Sequence, residues 1–482
     1  RKGLEQLRKL YGEYGFINFV ASPDTEIDDL GHRINMTFDL EEGKQFTVRR
    51  IEFAGNTTTR DKVIRRELLL SEGSLFNSRL WELSILRLNQ LDYFDKLEPD
   101  KASEVQPDNR NGTVDIALTV HEKGKNSIGF SGGVSGLSGS FIGFNYQTNN
   151  FLGLGETLTF NAELGSTNRN VLVGLTHPYL FDRPLQVGFT VFSQRSNFNE
   201  AQQASILAGQ DQTPLFNLLG SQNIQNYRQS SVGFNAFASY PLRNNFTRLG
   251  LTYGYENSTV TTFSTVSQIL FENINFNGLN GPNSLAGIKT SKIIPTYTYN
   301  TIDNPSFGAL TATRGTELYT SMELAGLGGN VRYYRPTADF KWFHPVTGGG
   351  RIFGLHLLGS TMSGFGGRVV PPFVRQYAGG ESDIRGFDIN TISPIAFVPD
   401  TTSIVVLNAN GTPRSTSAPD SIGIENKAGQ TMTIPVNRIT FPGGDTKFIS
   451  NIQYRIPIFG PLSVSLFADT GLNMIWHRDQ LQ

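Results

Sequence analysis

From Lys125 onward this chain alternates with a period of two, and that constrains its fold more than any other feature. In Thr157-Leu158-Thr159-Phe160-Asn161-Ala162-Glu163-Leu164 every second side chain is apolar and its neighbours are polar. Leu185, Val187, Phe189 and Val191 repeat the pattern between Gln186, Gly188 and Thr190, and Leu462, Val464, Leu466 and Ala468 do so opposite Ser463, Ser465 and Asp469. A period of two sends the two kinds of side chain to opposite faces of a β-strand. In water such strands build a sandwich with a dry interior. Here they run for about 8–12 residues and their polar sides are mostly uncharged, which fits lipid on one side and a wet lumen on the other.

Composition agrees with a transmembrane barrel. Charged residues make up 17%, below the roughly 25% of soluble domains. Glycine (51) and phenylalanine (35) are abundant, whereas there are 5 methionines and 3 tryptophans. With 41 basic and 42 acidic residues the net charge is −1, so no field attracts nucleic acid. The absence of cysteine excludes a disulfide scaffold, thiol catalysis and thiolate metal sites. No run of about 18 apolar residues offers a helical membrane span. The start at Arg1-Lys2-Gly3 carries no signal peptide and is expected to be that of a processed or trimmed fragment.

Residues 1–123 follow a different grammar, dense in charge and rich in helix signals. Leu4, Leu7, Leu10 and Tyr11 share one helix face, and residues 34–40 alternate as a strand before the turn Glu41-Glu42-Gly43. A complete β-α-α-β-β unit is then expected. It comprises a strand at 47–53, a helix capped by Thr59 with Val63, Ile64 and Leu68, a second helix capped by Ser78 with Leu80, Leu83, Leu86 and Leu91, a strand at 92–98 and another at 113–120. Three parts follow: 1–45, 46–123, and a barrel over 124–482.

Barrel strands are expected near 126–135, 139–148, 155–165, 168–178, 184–195, 228–241, 246–258, 289–302, 313–324, 330–345, 350–363, 446–458 and 461–475. That is about thirteen, an odd number, whereas an antiparallel barrel closing on itself needs an even one; about three strands are read as missing from about sixteen in the intact protein. Short turns (241–245, 347–349, 459–461) alternate with long connections, as periplasmic turns alternate with outer loops. The longest connection, 364–445, far exceeds the roughly 15 residues beyond which a loop is usually functional or disordered. Its Asn-, Ser- and Thr-rich part, 400–432, reads as a solvated outer loop.

Within that connection lies Gln376-Tyr377-Ala378-Gly379-Gly380-Glu381-Ser382-Asp383-Ile384-Arg385-Gly386-Phe387. An Arg-Gly-Phe tip presents a forked cation and a flat ring on a residue that permits tight folding. This segment resembles the barrel-plugging loop of the outer-membrane-protein assembly factors, the BamA family. Further motifs occur in the family's order. Gly55-Asn56 with Thr59, Arg65-Arg66-Glu67 and Leu91-Asp92-Tyr93-Phe94 resemble a POTRA domain, with residues 1–45 similar to the back part of a preceding one. Asn150-Phe151-Leu152-Gly153-Leu154-Gly155-Glu156 resembles the turn after the second barrel strand, and Thr313-Arg314-Gly315 a later barrel motif.

The resemblance implies a 16-stranded barrel in the outer membrane with its POTRA region in the periplasm. It implies that Arg385, with Gly386 and Phe387, tucks into the lumen against carboxylates of nearby strands. Phe467-Ala468-Asp469-Thr470-Gly471 matches the segment supplying one of them, and alternation independently turns Asp469 away from lipid. The second position carries Gln453 where an acid is common; an amide accepts a hydrogen bond but forms no ion pair. A lateral gate is implied at the first strand, with Ile128, Phe130, Gly132 and Gly133, whose glycines weaken packing and pairing.

The implied activity is folding and insertion of β-barrel proteins by strand addition at that seam, without nucleotide or other cofactor. The partners would be unfolded outer-membrane proteins, periplasmic accessory lipoproteins and outer-membrane lipid, with no nucleic acid. Alternatives are a related translocase (TamA-like or two-partner secretion) or a passive pore, which the POTRA-like module disfavours. No enzymatic activity is expected. The glycines at 132, 133, 136 and 139 lack the helix and lysine of a phosphate loop, the six histidines form no ligand pair, and no G-x-S-x-G elbow occurs.

Overall fold

In the computed structural model the chain divides into two compact units, one comprising residues 1–129, 145–160 and 174–183, the other 130–144, 161–173 and 184–482. The structure describes residues 2–28, 33–124, 126–135, 139–199, 226–242, 246–278, 285–303, 312–347, 350–380, 383–387, 390–405, 431–440, 442–459 and 462–481. Gly136, the turn residues 243–245, 348–349 and 460–461, Glu381-Ser382 and residues 406–430 lie outside them.

In the first unit, α1 (Lys2–Glu13) precedes a hairpin of β1 (Val20–Asp28) and β2 (Arg33–Glu41), paired from Val20↔Glu41. β1 was not expected: Val-Ala-Ser-Pro-Asp-Thr-Glu-Ile-Asp has no alternation, and only pairing with β2 holds it extended. Next come β3 (Thr47–Ala54), α2 (Asp61–Arg65), α3 (Ser78–Gln90), α4 (Pro99–Ala102), β4 (Ser103–Asp108) and β5 (Thr113–Thr119). Their sheet has the order β3-β5-β4, with β3 and β5 parallel and β4 antiparallel to β5. Parallel neighbours require a crossover, and the helices provide it. Val114, Ile116 and Leu118 alternate into a core with Val48, Ile51, Val63, Ile64, Trp81, Ile85 and Leu88.

Three local expectations need correction. Thr59 does not cap α2; Arg60 holds that position without a side-chain bond. Asn77 rather than Ser78 caps α3, its side chain accepting from the Leu80 amide at 2.9 Å. The strand placed at 92–98 is instead β4. Tyr93 and Phe94 are adjacent and both buried, which breaks alternation, and Asp92 takes a positive φ of 56° in a turn. The strand proper is polar Ser-Glu-Val-Gln-Pro-Asp at the sheet edge, where Pro107 is tolerated.

The long sheet is built from β6 (Asn126–Ser135), β7 (Gly139–Phe151), β8 (Glu156–Gly165), β9 (Asn168–His177), β10 (Gln186–Asn199), β11 (Asn226–Pro241), β12 (Thr247–Thr262), β13 (Ile288–Asn300), β14 (Gly315–Ala325), β15 (Tyr333–Thr347), β16 (Arg351–Thr361), β20 (Thr446–Phe459) and β21 (Leu462–Met474). Between β16 and β20 lie β17 (Ser363–Gly364), which pairs with β15, and a separate hairpin of β18 (Ala396–Val405) and β19 (Thr431–Thr440). The strands follow the order β6 to β16, then β20 and β21, and neighbours from β10 to β21 in this order pair antiparallel.

Register separates the faces. Leu249↔Tyr297, Leu251↔Pro295 and Tyr253↔Ile293 lie on one face, Arg248↔Thr298 and Glu256↔Thr290 on the other. The apolar face stays open, with Leu251 at 52% and Leu466 at 64% exposure. That arrangement is stable where lipid covers it.

A helix and a hairpin of the second unit escaped the sequence reading. α5 (Thr265–Asn273), after β12, is capped by Ser264 and packs Leu270 and Phe271 with Tyr227, Ile288 and Tyr333. β18 and β19 form a hairpin where part of a solvated loop was expected; Pro399 and Pro435 interrupt their alternation.

Candidate functional site

Residues 376–380 and 383–387 of the connection between β16 and β20 meet the polar face of β16, β20 and β21. The root of the connection is fastened by reciprocal backbone bonds between Gln376 and Gly444, at 2.9 and 2.7 Å. Asn473 on β21 donates from Nδ2 to the carbonyls of Gln376 (2.7 Å) and Ile392 (2.9 Å). The tip turns tightly: the Gly380 amide donates to the Phe387 carbonyl at 3.0 Å, and Gly386 has φ 88°, a left-handed conformation suited to glycine.

This geometry presents Arg385 to Asp469 of β21. Nε donates to Oδ2 at 2.7 Å, Nη2 to Oδ1 at 2.6 Å, and the Arg385 main-chain amide to Oδ2 at 2.9 Å. The fork engages both carboxylate oxygens, which a lysine could not do. The Asp469 side chain is 2% exposed and that of Arg385 27%. Phe467, two residues before Asp469 and on the same face, places its ring 3.8 Å from the Arg385 Cζ. Ile384 is buried with Ala378 and Ile449. Its Cδ1 fills the space that a Cβ at Gly471 would take, so glycine there permits the close approach.

Gln453 is not brought to the arginine. It stands opposite Phe467 in register, and among the described residues no hydrogen bond joins it to Arg385. Its side chain lies over Gly354, where a Cβ would meet Gln453 Cγ at 2.9 Å. The Phe467 ring takes the place in which a second acceptor was expected. Two further contacts hold the segment: Lys447 Nζ donates to Asp383 Oδ2 at 2.8 Å, and Asn451 Nδ2 to the Asp383 carbonyl at 2.6 Å. Lys447, Asn451 and Phe467 were missed, although alternation from Gln453 and Asp469 puts them on the same polar faces.

Ile128, Phe130, Gly132 and Gly133 lie on β6, at the opposite end of the strand order from β21. Ile128 and Phe130 share a face and are exposed, Phe130 by 79%, with its ring 5.2 Å from that of Phe144.

The first unit carries a second ordered cluster, around the turn 150–155. Asn150 Nδ2 donates to Thr59 Oγ1 at 2.7 Å, its Oδ1 accepts from the Gly155 amide at 2.8 Å, and Tyr93 Oη donates to the Gly155 carbonyl at 3.0 Å. Burial pushes the Tyr93 phenol up to about 12. Tyr179, under the Arg66 guanidinium at 4.3 Å, is likewise pushed up to about 12, chiefly by burial. Glu122 accepts from Thr57 Oγ1 (2.9 Å) and the amides of Thr58 (3.0 Å) and Thr59 (2.5 Å). Burial alone would raise its carboxyl, but these donors hold it down at about 2. Among the described residues no group of His, Asp and Glu is arranged to hold a metal ion.

Comparison with known proteins gives these features a family. The Omp85 superfamily domain profile matches residues 150–478, and that of the POTRA module, described as a surface antigen variable number repeat, matches 46–123. The outer membrane protein assembly factor BamA of Neorickettsia risticii (strain Illinois) is 26% identical over 381 residues, 79% of this chain and 45% of that protein. BamA of Neisseria meningitidis serogroup B is 24% identical over 365 residues, 75% of this chain and 42% of that one. The chain thus spans less than half of these relatives' length. Its fold is similar to the crystal structure of Haemophilus ducreyi BamA lacking POTRA domains 1-3, with TM-score 0.64, 20% identity, and coverage of 98% of this chain and 80% of that one. The molecule is an outer-membrane β-barrel protein with a periplasmic POTRA region, and the chain belongs to the Omp85 superfamily.

Proposed function

We propose that this protein promotes the folding and insertion of β-barrel proteins into the outer membrane, acting on unfolded barrel substrates with periplasmic accessory lipoproteins and without nucleotide or enzymatic chemistry. The observation that carries this reading is the superfamily domain spanning most of the chain, behind a POTRA module, in relatives named as outer membrane protein assembly factors.

The physical task is to supply hydrogen-bond partners. An unfolded strand entering lipid carries N–H and C=O groups that hydrocarbon cannot satisfy, each costing several kcal/mol. A strand edge in the wall can accept them one residue at a time. β6 suits that role, because Gly129, Gly132 and Gly133 weaken its packing, leaving a seam that opens at low cost. The Arg385–Asp469 pair would then act as a latch that fixes the inner loop against β21 while the seam works.

The test is reconstitution of the intact protein in liposomes with an unfolded barrel substrate, following the substrate's passage to the folded, protease-resistant form. Wild type is expected to accelerate folding, and Arg385→Ala to lose much of that acceleration. Free ion conduction with no change in substrate folding would replace this reading by that of a passive pore.

A further inference from the structure

The polar face holds a titratable group next to the latch. His356 of β16 lies between two acceptors: Nε2 is 3.0 Å from Asp339 Oδ1 on β15, and Nδ1 is 2.9 Å from Asn451 Oδ1 on β20. The orientation of the Asn451 amide follows from its other contact. Nδ2 is 2.6 Å from the Asp383 carbonyl, which can only accept, so Oδ1 must be the atom facing the imidazole. Both ring nitrogens therefore face oxygen acceptors. A neutral imidazole donates from one nitrogen only; the imidazolium donates from both.

The surrounding charges agree. Facing His356 or its contacts are Asp339 and Lys341 of β15, Glu317 of β14, Lys447 of β20, Asp469 of β21, and Asp383 and Arg385 of the inner loop. These are four carboxylates (Glu317, Asp339, Asp383, Asp469) against three permanent cations (Lys341, Lys447, Arg385). A charged His356 makes the set four against four.

We propose that His356 is a proton-operated positioning residue for the Arg385 loop. As an imidazolium it orients Asn451 so that the amide holds the Asp383 carbonyl, two residues before Arg385. On deprotonation Nδ1 gives up its proton while Nε2–H stays on the stronger acceptor, the Asp339 carboxylate, so either the contact to Asn451 is lost or the amide turns and releases that carbonyl. The 383–387 tip then keeps Lys447, Asp469 and the Ile384 packing but loses the Asn451 tie. Its relevance to substrate insertion rests on the latch reading above, but the proton dependence of the loop does not.

The experiment is hydrogen exchange of the intact protein in lipid nanodiscs, reading the amides of 383–387 from pH 6 to 9 and correcting for the intrinsic rise of exchange with pH. Protection in wild type should fall about tenfold across that range, the worth of one amide–carbonyl hydrogen bond. His356→Gln should show low protection at every pH. His356→Lys, whose ammonium donates to both acceptors throughout, should restore high protection without pH dependence. Nitrogen-15 spectra of the wild-type ring should show both nitrogens protonated wherever the loop is protected.

A flat wild-type profile, the same slope in His356→Gln, or a singly protonated ring beside a fully protected loop would each overturn the proposal. Because this readout involves no substrate, it separates the two ideas. Full assembly activity in Arg385→Ala would overturn the latch and leave the exchange profile standing.

Discussion

Replacing the partners of the Arg385–Asp469 pair, singly and together, measures what fixes the inner loop. Arg385→Ala removes two charge-assisted hydrogen bonds and the ring contact with Phe467, and leaves the Asp469 carboxylate at 2% exposure with the loop amide and the Asn451 side chain as donors. Breaking a fully buried pair costs 3–5 kcal/mol; because Arg385 is 27% exposed, about 3 kcal/mol is expected, or roughly 150-fold in the docking equilibrium.

Asp469→Ala removes all three acceptor contacts but lets the guanidinium turn to water, so about 3 kcal/mol is again expected. The double variant should lose about 4 kcal/mol, giving a coupling of about 2 kcal/mol. Arg385→Lys should sit between, at about 1.5 kcal/mol, since a point charge cannot match both oxygens. The assay is hydrogen-exchange protection of the 383–387 amides in nanodiscs at one pH. A coupling below about 0.5 kcal/mol, or a lysine variant equal to wild type, would refute the argument that the fork holds the loop.

Gly471→Ala should push Ile384 out of its seat and weaken loop docking by about 1–2 kcal/mol, read by the same exchange assay. In the POTRA region, the Glu122 carboxyl is held at about 2, below its ordinary value near 4.5. Its stabilisation is therefore complete above about pH 4.5 and fades as pH falls toward 2. Exchange of the Thr58 and Thr59 amides should rise over that window, and Glu122→Gln should abolish the dependence at a cost of about 1 kcal/mol, discounted for partial exposure. Tyr93→Phe leaves the buried Gly155 carbonyl without its phenol donor and should lower stability by about 1 kcal/mol in thermal unfolding, with no change between pH 6 and 9 because the phenol stays neutral to about 12.

Much of the site was legible because its residues sit on strands. Once Leu462, Val464 and Leu466 are assigned to lipid, Asp469 must face the other way, and it does. Applied without exception, the same rule names Phe467, Asn451 and Lys447. Gln453 was favoured because an acid is common at its place in the resembled family. Alternation fixes a face but not which of several residues along it meets a loop arriving from another part of the chain. That choice fell to Phe467, through the register of β20 against β21 and the turn at Gly386. The helix caps show a similar limit, since Thr59 and Ser78 both suit a cap, yet Thr59 is engaged by Asn150 and Glu122, and Asn77 lies one residue nearer the turn.

The sequence alone determined the strands of the wall and their two faces, because period-two patterning acts residue by residue and lipid tolerates few exceptions. It determined that a charged α/β module precedes them, because helix spacing and strand spacing differ. Only the tertiary structure decided what happens inside. β1 and β4 exist through pairing with the strand that follows each, and α5 and the β18–β19 hairpin through partners more distant in sequence. The charge state that His356 requires follows from two acceptors on strands about 17 and 95 residues away. Local propensity carries no record of such contacts, which form only when strand register and loop closure bring the groups within hydrogen-bonding reach.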